Sequence, residues 1–359
     1  MNKAALQKKL VDCARLRISE KWFPGCVVGI VWQNGERMLI PVGNFTYAQD
    51  SKVVTENSIY DMASVTKAIP TACLLLKLID DGLIRMNDPI ITWIPELKIR
   101  ERNNILVRHL LEFTLDYSNP EYVSRGIKYK SADELMEYLF TSELKESPGA
   151  SYFYTNATGI LTGLLVERVS KKSLDILADE TFFRPLRMLQ TNFWPEKLPQ
   201  GDIVPSEIDP WRGREIQAEV HDESAWTVRK EKQRCLGSAG LFSSAPDMLT
   251  FLEVLLRRGS LGGKKYFSDT TVREMHTNQL APIGGFHGLG WRMGRPWMGT
   301  HHSADAFGAT GFTGTAVFCD PERGVGVTIL SNGIYPTRER AMKEGLRDRF
   351  RAEIIDAII

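Results

Sequence analysis

Asp61-Met62-Ala63-Ser64-Val65-Thr66-Lys67, running directly into the apolar segment 68–79, is the stretch on which the reading of this chain turns. A spacing of three puts Ser64 and Lys67 on one helical face, about one turn apart. A serine hydroxyl is a weak nucleophile until a neighbour takes its proton, and a desolvated lysine can be that neighbour. Backbone N–H groups at a helix start are unpaired and the helix dipole is positive there, so Ser64's own amide can stabilise a developing oxyanion. The bland alternative is an N-cap serine on a buried helix. A second such tetrad, Ser142-Glu143-Leu144-Lys145, lies in a charged stretch before Pro148-Gly149 and reads as solvated surface. Pro70 removes one backbone bond inside the Ser64 helix, which predicts a bend or a first turn that is not regular α-helix.

Outward from this segment, strand and helix signals sort by position. Residues 3–20 have helical spacing. Pro24-Gly25 then breaks the pattern, and Cys26 to Trp32 reads as a buried strand, with Asn34-Gly35 as a hairpin turn and a return strand from Met38 to Val42. The middle is mostly helical pattern, including Ser131 to Phe140, Ala157 to Val169 and Ala245 to Arg258, with 195–235 read as a long surface excursion near the site. From Gly288 onward strand-like segments return, at 288–293, 313–320 and 324–332, before a last amphipathic helix over 337–358. The expected fold class is α/β in the α+β sense: an antiparallel sheet built from both termini and flanked by helices, with an inserted all-helical lobe. The expected division is 1–62 and 285–359 for the sheet lobe and 63–284 for the mainly helical lobe, with the active site between them.

Composition narrows the function classes. The 359 residues are 43% hydrophobic and 25% charged, ordinary for a globular chain, and 45 Lys+Arg against 44 Asp+Glu leave a net charge of +1. Nothing here forms a basic field for nucleic acid. No apolar run reaches the roughly 18–20 residues that span a bilayer, and the N-terminus lacks the apolar core of an export signal. A cytoplasmic location is the expectation, supported by five scattered cysteines without a Cys-x-x-Cys partner. No cofactor and no metal are expected. His221-Asp222-Glu223 clusters ligand types, but adjacent residues cannot all face one ion, so a hydrogen-bonding role is preferred; the same holds for His301-His302.

A serine–lysine pair needs a third group to return the proton to the leaving group. Tyr-x-Asn occurs as Tyr117-Ser118-Asn119, followed by Pro120 in a polar loop, and as Tyr154-Thr155-Asn156, which leads directly into a helix. The second setting can hold a tyrosine rigidly, although a lone tyrosine there is more often a core aromatic. Finally, Gly308-Ala309-Thr310-Gly311-Phe312-Thr313-Gly314 permits close approach of backbone to ligand, and an N–H from this edge can be a second oxyanion donor.

Phe23-Pro24-Gly25, Ala63-Ser64-Val65-Thr66-Lys67, Asp80-Asp81-Gly82-Leu83, Tyr154-Thr155-Asn156, His221-Asp222-Glu223, Gly240-Leu241-Phe242-Ser243, Gly288-Leu289-Gly290-Trp291 and Gly311-Phe312-Thr313-Gly314 stand in this order along nearly the whole chain. Together they resemble the serine β-lactamase and penicillin-binding-protein superfamily, in its class C-like branch with β-lactamase-fold esterases. The resemblance implies that Ser64 is the nucleophile, Lys67 its proton partner and Tyr154 the general base and acid. It implies Asn156 as a substrate and lysine ligand, the strand segment Ala309, Thr310 and Gly311 as a substrate edge, and the amides of Ser64 and Phe312 as the oxyanion hole.

Two departures qualify the resemblance. The family has Lys or His before Thr-Gly, whereas this chain has Ala309. A cation there would hold Tyr154 as phenolate and grip a substrate carboxylate; losing one charge-assisted hydrogen bond of this kind costs about 1.5–3 kcal/mol. Small esters or neutral amides are therefore expected over penicillins and D-Ala-D-Ala peptides, unless His301, His302 or Arg292 supplies the charge. Leu111-Glu112-Phe113-Thr114-Leu115-Asp116 is the other departure, expected to alter loop packing or pocket shape. The leading expectation is a serine hydrolase acting through an acyl-enzyme on a small-molecule acyl substrate. The alternatives are a β-lactamase or D,D-carboxypeptidase, and a catalytically silent scaffold of the same fold. Oligomeric state is not legible.

Overall fold

The computed structural model of the chain describes residues 2–117 and 131–359. Of the first Tyr-x-Asn motif, only Tyr117 is among them; Ser118 and Asn119 lie outside the described residues. Helix α1 (Lys3–Ser19) starts on Asn2, whose side chain accepts the N–H groups of Ala4 and Ala5. Strands β1 (Gly25–Trp32) and β2 (Arg37–Gly43) form the expected hairpin, and the short β3 (Ile59–Asp61) leads into the Ser64 segment. Next come helices α2 (Cys73–Asp80), α3 (Val107–Glu112), α4 (Ala132–Thr141), α5 (Asn156–Ser170) and α6 (Leu174–Ala178). The stretch 195–235 is more ordered than a surface excursion: it holds the hairpin β4 (Glu207–Asp209) and β5 (Arg214–Ile216) and helix α7 (Glu223–Lys232), and it buries Glu207, Asp209 and His221. Strand β6 (Phe242–Ser244) pairs with β3 and is followed by α8 (Ala245–Leu256).

A small hairpin, β7 (Ser260–Leu261) and β8 (Lys264–Lys265), precedes α9 (Asp269–Met275). Strands β9 (Arg292–Met293), β10 (Phe307–Thr310), β11 (Ala316–Asp320) and β12 (Val325–Ser331) complete the main sheet. The last helix expected from the sequence is two helices, α10 (Arg338–Glu344) and α11 (Leu346–Ile358), divided at Gly345.

The main sheet has the order β2-β1-β12-β11-β10-β9, antiparallel throughout, so the two ends of the chain build it together as expected. Strand side chains alternate between faces. Cys26, Val28 and Ile30 of β1 and Val327 and Ile329 of β12 therefore pack with Leu6, Leu10 and Ala14 of α1 and Phe350, Ile354 and Ile358 of α11. Val27 and Val31 face the other way, into the cluster that holds Leu249 and Leu252 of α8 and continues into the helical part through Leu74, Leu110, Leu135 and Leu161. Helix α8 thus lies against β1 and β12, although a split at 63 and 284 assigns it to the helical lobe. We propose that α1, α8 and α11 belong to the sheet lobe and that α2 to α7 form the second lobe. Among the described residues, no helix is long and apolar enough to cross a membrane.

Candidate active site

Between β3 and α2 the chain does not run as one helix. Residues Ala63–Lys67 form a 3₁₀ turn, Ile69 is extended at φ −113° and ψ 114°, and regular α-helix begins only at Cys73. This is the irregular first turn that Pro70 predicts. Buried Asp61 fixes its entry: Oδ1 accepts the Ala63 N–H at 2.7 Å and Oδ2 the His221 N–H at 2.8 Å. Burial raises the Asp61 carboxyl above its ordinary range, with these backbone donors pulling it back. Ala63 takes a positive φ of 46°, rare for a residue with a side chain, immediately before the serine. Thr66 Oγ1 closes the turn on Ala63 O at 2.6 Å.

Within this turn Lys67 Nζ donates to Ser64 Oγ at 2.8 Å and to the Ser238 carbonyl at 2.9 Å. Lys67 is buried, and helix α5 makes room for it with a residue lacking a side chain. A Cβ on Gly159 would stand 3.0 Å from Lys67 Cγ and 3.2 Å from Cε. The same helix carries the partner motif at its start: Thr155 Oγ1 caps α5 by accepting the Ala157 N–H at 2.9 Å, holding Tyr154 just outside the first turn. Tyr154 lines one recess with Ser64 and Lys67, and Lys67 Nζ lies 5.3 Å from the Tyr154 ring centre. Burial by itself raises the Tyr154 phenol. The charges of Lys67 and Arg292, with the polar groups of Ser64 and Lys67 beside it, outweigh it, so the group sits below its ordinary range.

Asn156 donates to Asp222 Oδ2 at 3.1 Å and lines the main cleft beside Ser64. No Asn156–Lys67 hydrogen bond accompanies it; the main-chain carbonyl of Ser238 takes the place beside the lysine expected of Asn156. The cleft, of about 460 Å³, is also lined by Phe312, His221, Glu223 and Arg338. His221 has a hydrogen-bonding role, with Nε2 at 2.7 Å from Glu207 Oε2 and 3.0 Å from Arg338 Nη2, and its ring stacks on Phe312 at 5.6 Å. A smaller recess on the other side of Ser64 is lined by Lys67, Tyr154, Ala309, Thr310 and Arg292. Among the candidate cations for the Ala309 position, His301 is exposed and pairs with Asp356, and His302 bonds its neighbour's carbonyl. Arg292 is the one at the site: Cζ is 4.0 Å from the Tyr154 ring centre and Nη1 donates to Thr310 Oγ1 at 2.9 Å.

The edge after β10 is bolted to the Ser64 segment. Thr313 Oγ1 donates to Asp61 O at 2.7 Å and Thr315 Oγ1 to Met62 O at 3.1 Å. Gly311 must be glycine, since a Cβ there would lie 2.1 Å from Thr315 Oγ1 and 2.4 Å from Met62 O. Phe113 escapes a reading of residue types. It follows α3 in a left-handed conformation at φ 55°, and its ring stacks on Tyr154 with centres 5.2 Å apart. The unusual segment 111–116 therefore reaches the recess itself.

The sequence pattern of the Beta-lactamase family matches residues 7–350. The chain belongs to that family. A relative from Salmonella typhimurium, named "Putative D-alanyl-D-alanine carboxypeptidase", is 28% identical over 307 residues, covering 77% of this chain and 70% of the relative. Two solved structures share the family fold. EstCE1, described as a hydrolase with promiscuous acyltransferase activity, superposes with a TM-score of 0.77 at 20% identity, covering 99% of this chain and 98% of EstCE1. Simvastatin synthase (LovD) from Aspergillus terreus gives 0.73 at 19% identity, over 100% of this chain and 99% of LovD. Membership in this family of serine hydrolases accounts for a sheet built from both chain ends with helices on either side.

Proposed function

We propose that the chain is a serine hydrolase that passes its substrate's acyl group through Ser64, acting on small carboxylic esters or neutral amides. The observation that carries this reading is the convergence of Ser64, Lys67 and Tyr154 on one recess, with Lys67 Nζ donating to Ser64 Oγ at 2.8 Å and the surrounding charges lowering the Tyr154 phenol. In the first half-reaction the Tyr154 phenolate takes the Ser64 proton, and Oγ attacks the substrate carbonyl carbon. The amides of Ser64 and Phe312 hold the oxyanion, and Tyr154 returns the proton to the departing alcohol or amine. Water, deprotonated by the same phenolate, then attacks the acyl carbon and releases the acid and free Ser64. Acid–base help of this kind supplies about 10²–10⁴-fold, and one oxyanion donor about 10²–10³-fold. Stopped-flow hydrolysis of a p-nitrophenyl ester tests it: a burst of p-nitrophenol proportional to enzyme is expected, and equal turnover by Ser64→Ala would refute it.

A D,D-carboxypeptidase or β-lactamase reading is favoured by one observation, the Arg292 guanidinium beside Thr310, which offers a carboxylate the cation that Ala309 lacks. The carboxypeptidase name of the 28% identical relative agrees with it. Release of D-alanine from an acyl-D-Ala-D-Ala peptide, or turnover of nitrocefin, would select this reading over the esterase one. A silent scaffold would leave every activated acyl probe unreacted.

A further inference from the structure

Arg351 of α11 is a charged side chain only 3% exposed, and it does not line the cleft. Its Nη2 donates to Gly311 O at 2.8 Å and to Thr315 O at 2.9 Å, while Nη1 reaches Asp348 Oδ1 at 2.6 Å. One turn earlier, Arg347 Nη1 donates to Phe312 O, and its guanidinium lies 4.6 Å from the Phe312 ring centre. The two carbonyls on either side of the Phe312 α-carbon are thus each held by an arginine of the same helix.

The Gly311–Phe312 peptide is trans. In a trans peptide plane the C=O and N–H point in opposite directions. A grip on Gly311 O from the α11 side therefore turns the Phe312 N–H the other way, toward the cleft that Phe312 and Ser64 share. The threonine bonds to Asp61 O and Met62 O fix where that plane sits relative to Ser64. A charged donor on the carbonyl also polarises the amide, making its N–H a stronger donor. Neutral donors would satisfy the same carbonyls without the desolvation cost of a buried guanidinium.

We infer that Arg351, assisted by Arg347, is a positioning residue that aims and polarises the Phe312 N–H of the oxyanion hole. The inference rests on the acyl-enzyme reading above. Its test compares the full-length parent with Arg351→Met, Arg351→Lys and Arg347→Gln, using a p-nitrophenyl ester for kcat and KM. Isotope-edited infrared spectra of the acyl-enzyme carbonyl and a thermal melt accompany the kinetics. Mis-aiming one donor is expected to lower kcat of Arg351→Met by roughly 30–100-fold with KM within about twofold, and to move the acyl carbonyl band to higher frequency. Arg351→Lys, which keeps a cation, should recover most of kcat, and Arg347→Gln should lose severalfold. A role confined to stability would lower the melting temperature yet leave kcat and the carbonyl band of the folded variants at parental values, which overturns the inference. Should Arg351→Met fail to fold, Arg347→Gln and Arg351→Lys decide by the same band position. A parent that forms no Ser64 adduct overturns the acyl-enzyme reading together with this one; a labelled parent with unaltered variants overturns this one alone.

Discussion

The guanidinium of Arg292 stands 4.0 Å from the centre of the Tyr154 ring and is tethered by its Nη1 to Thr310 Oγ1 at 2.9 Å. Arg292 belongs to β9 and is paired opposite Gly308 on β10, one residue from Ala309. The charge missing from one strand is delivered by its neighbour.

From this placement follows a shift in pH dependence. In the proposed mechanism the phenolate of Tyr154 takes the serine proton, and that form exists above the phenol's pKa. Burial raises that pKa, while the Lys67 and Arg292 charges lower it to a net depression. In Arg292→Gln the pKa rises, so the acid limb of kcat/KM moves to higher pH. At pH 7 the rate falls about tenfold for each unit of displacement. A pH profile of Arg292→Gln with its acid limb unmoved would refute the role.

Gly311→Ala should damage stability and activity together. Its Cβ would meet Thr315 Oγ1 and the Met62 carbonyl, so the turn must part from the Ser64 segment. Overpacking of this kind costs typically 1–3 kcal/mol. Chemical denaturation and ester turnover check this; a variant with parental stability and rate would show that the turn accommodates the methyl freely.

Glu207 links the cleft wall to acid stability. It is fully buried, which alone would raise its carboxyl, but hydrogen bonds and charge from His221 and Arg338 pull it down to about 2. A depressed folded-state pKa contributes stability above the unfolded value near 4.5, lost as pH falls toward 2. The stability gap between parent and Glu207→Gln should therefore be on the order of 2–3 kcal/mol at pH 7 and shrink between pH 4.5 and 2. Urea melts across that range measure it, and a gap independent of pH would contradict the assignment.

Buried Asp247 behaves with the opposite sign. Burial pushes its carboxyl up to about 6, against donors from Thr191 and the Gln190 N–H. The folded chain then binds the extra proton, so this residue's contribution favours folding as pH falls from about 6 toward 4 and opposes it above. Asp247→Asn should remove that slope from the stability–pH curve; an unchanged slope would place it elsewhere.

Much of the architecture was legible because local chemistry and long-range order agreed. The Asn34-Gly35 turn, the continuous apolar run of β1 and the apolar run before Asp80-Asp81-Gly82 each announce one element. Pro70 announced the broken start of the helix, although not that Ser64 and Lys67 would share a 3₁₀ turn. The Ser64, Lys67 and Tyr154 set was readable from spacing and resemblance because each residue carries its own motif. Arg292, Phe113, Ser238 and Arg351 were less legible as site members, because they act through placement: a strand partner, a left-handed residue, a carbonyl and a buried grip on peptide planes. Arg292 could be named as a candidate but not chosen over His301 and His302, since only the pairing of β9 with β10 brings it to Tyr154. The 195–235 stretch misled because its Pro, Gly and charged residues resemble a solvated loop, whereas buried Glu207 is held by His221 and by the half-buried Arg338.

The central claim is that Ser64 becomes covalently acylated with Tyr154 and Lys67 handling its proton. Peptide mapping by mass spectrometry after reaction with a slowly released acyl ester tests it most directly. One acyl mass on the peptide that contains Ser64, absent in Ser64→Ala and much reduced in Tyr154→Phe, is the predicted result. An acyl mass on another residue, or equal labelling of Ser64→Ala, would contradict it.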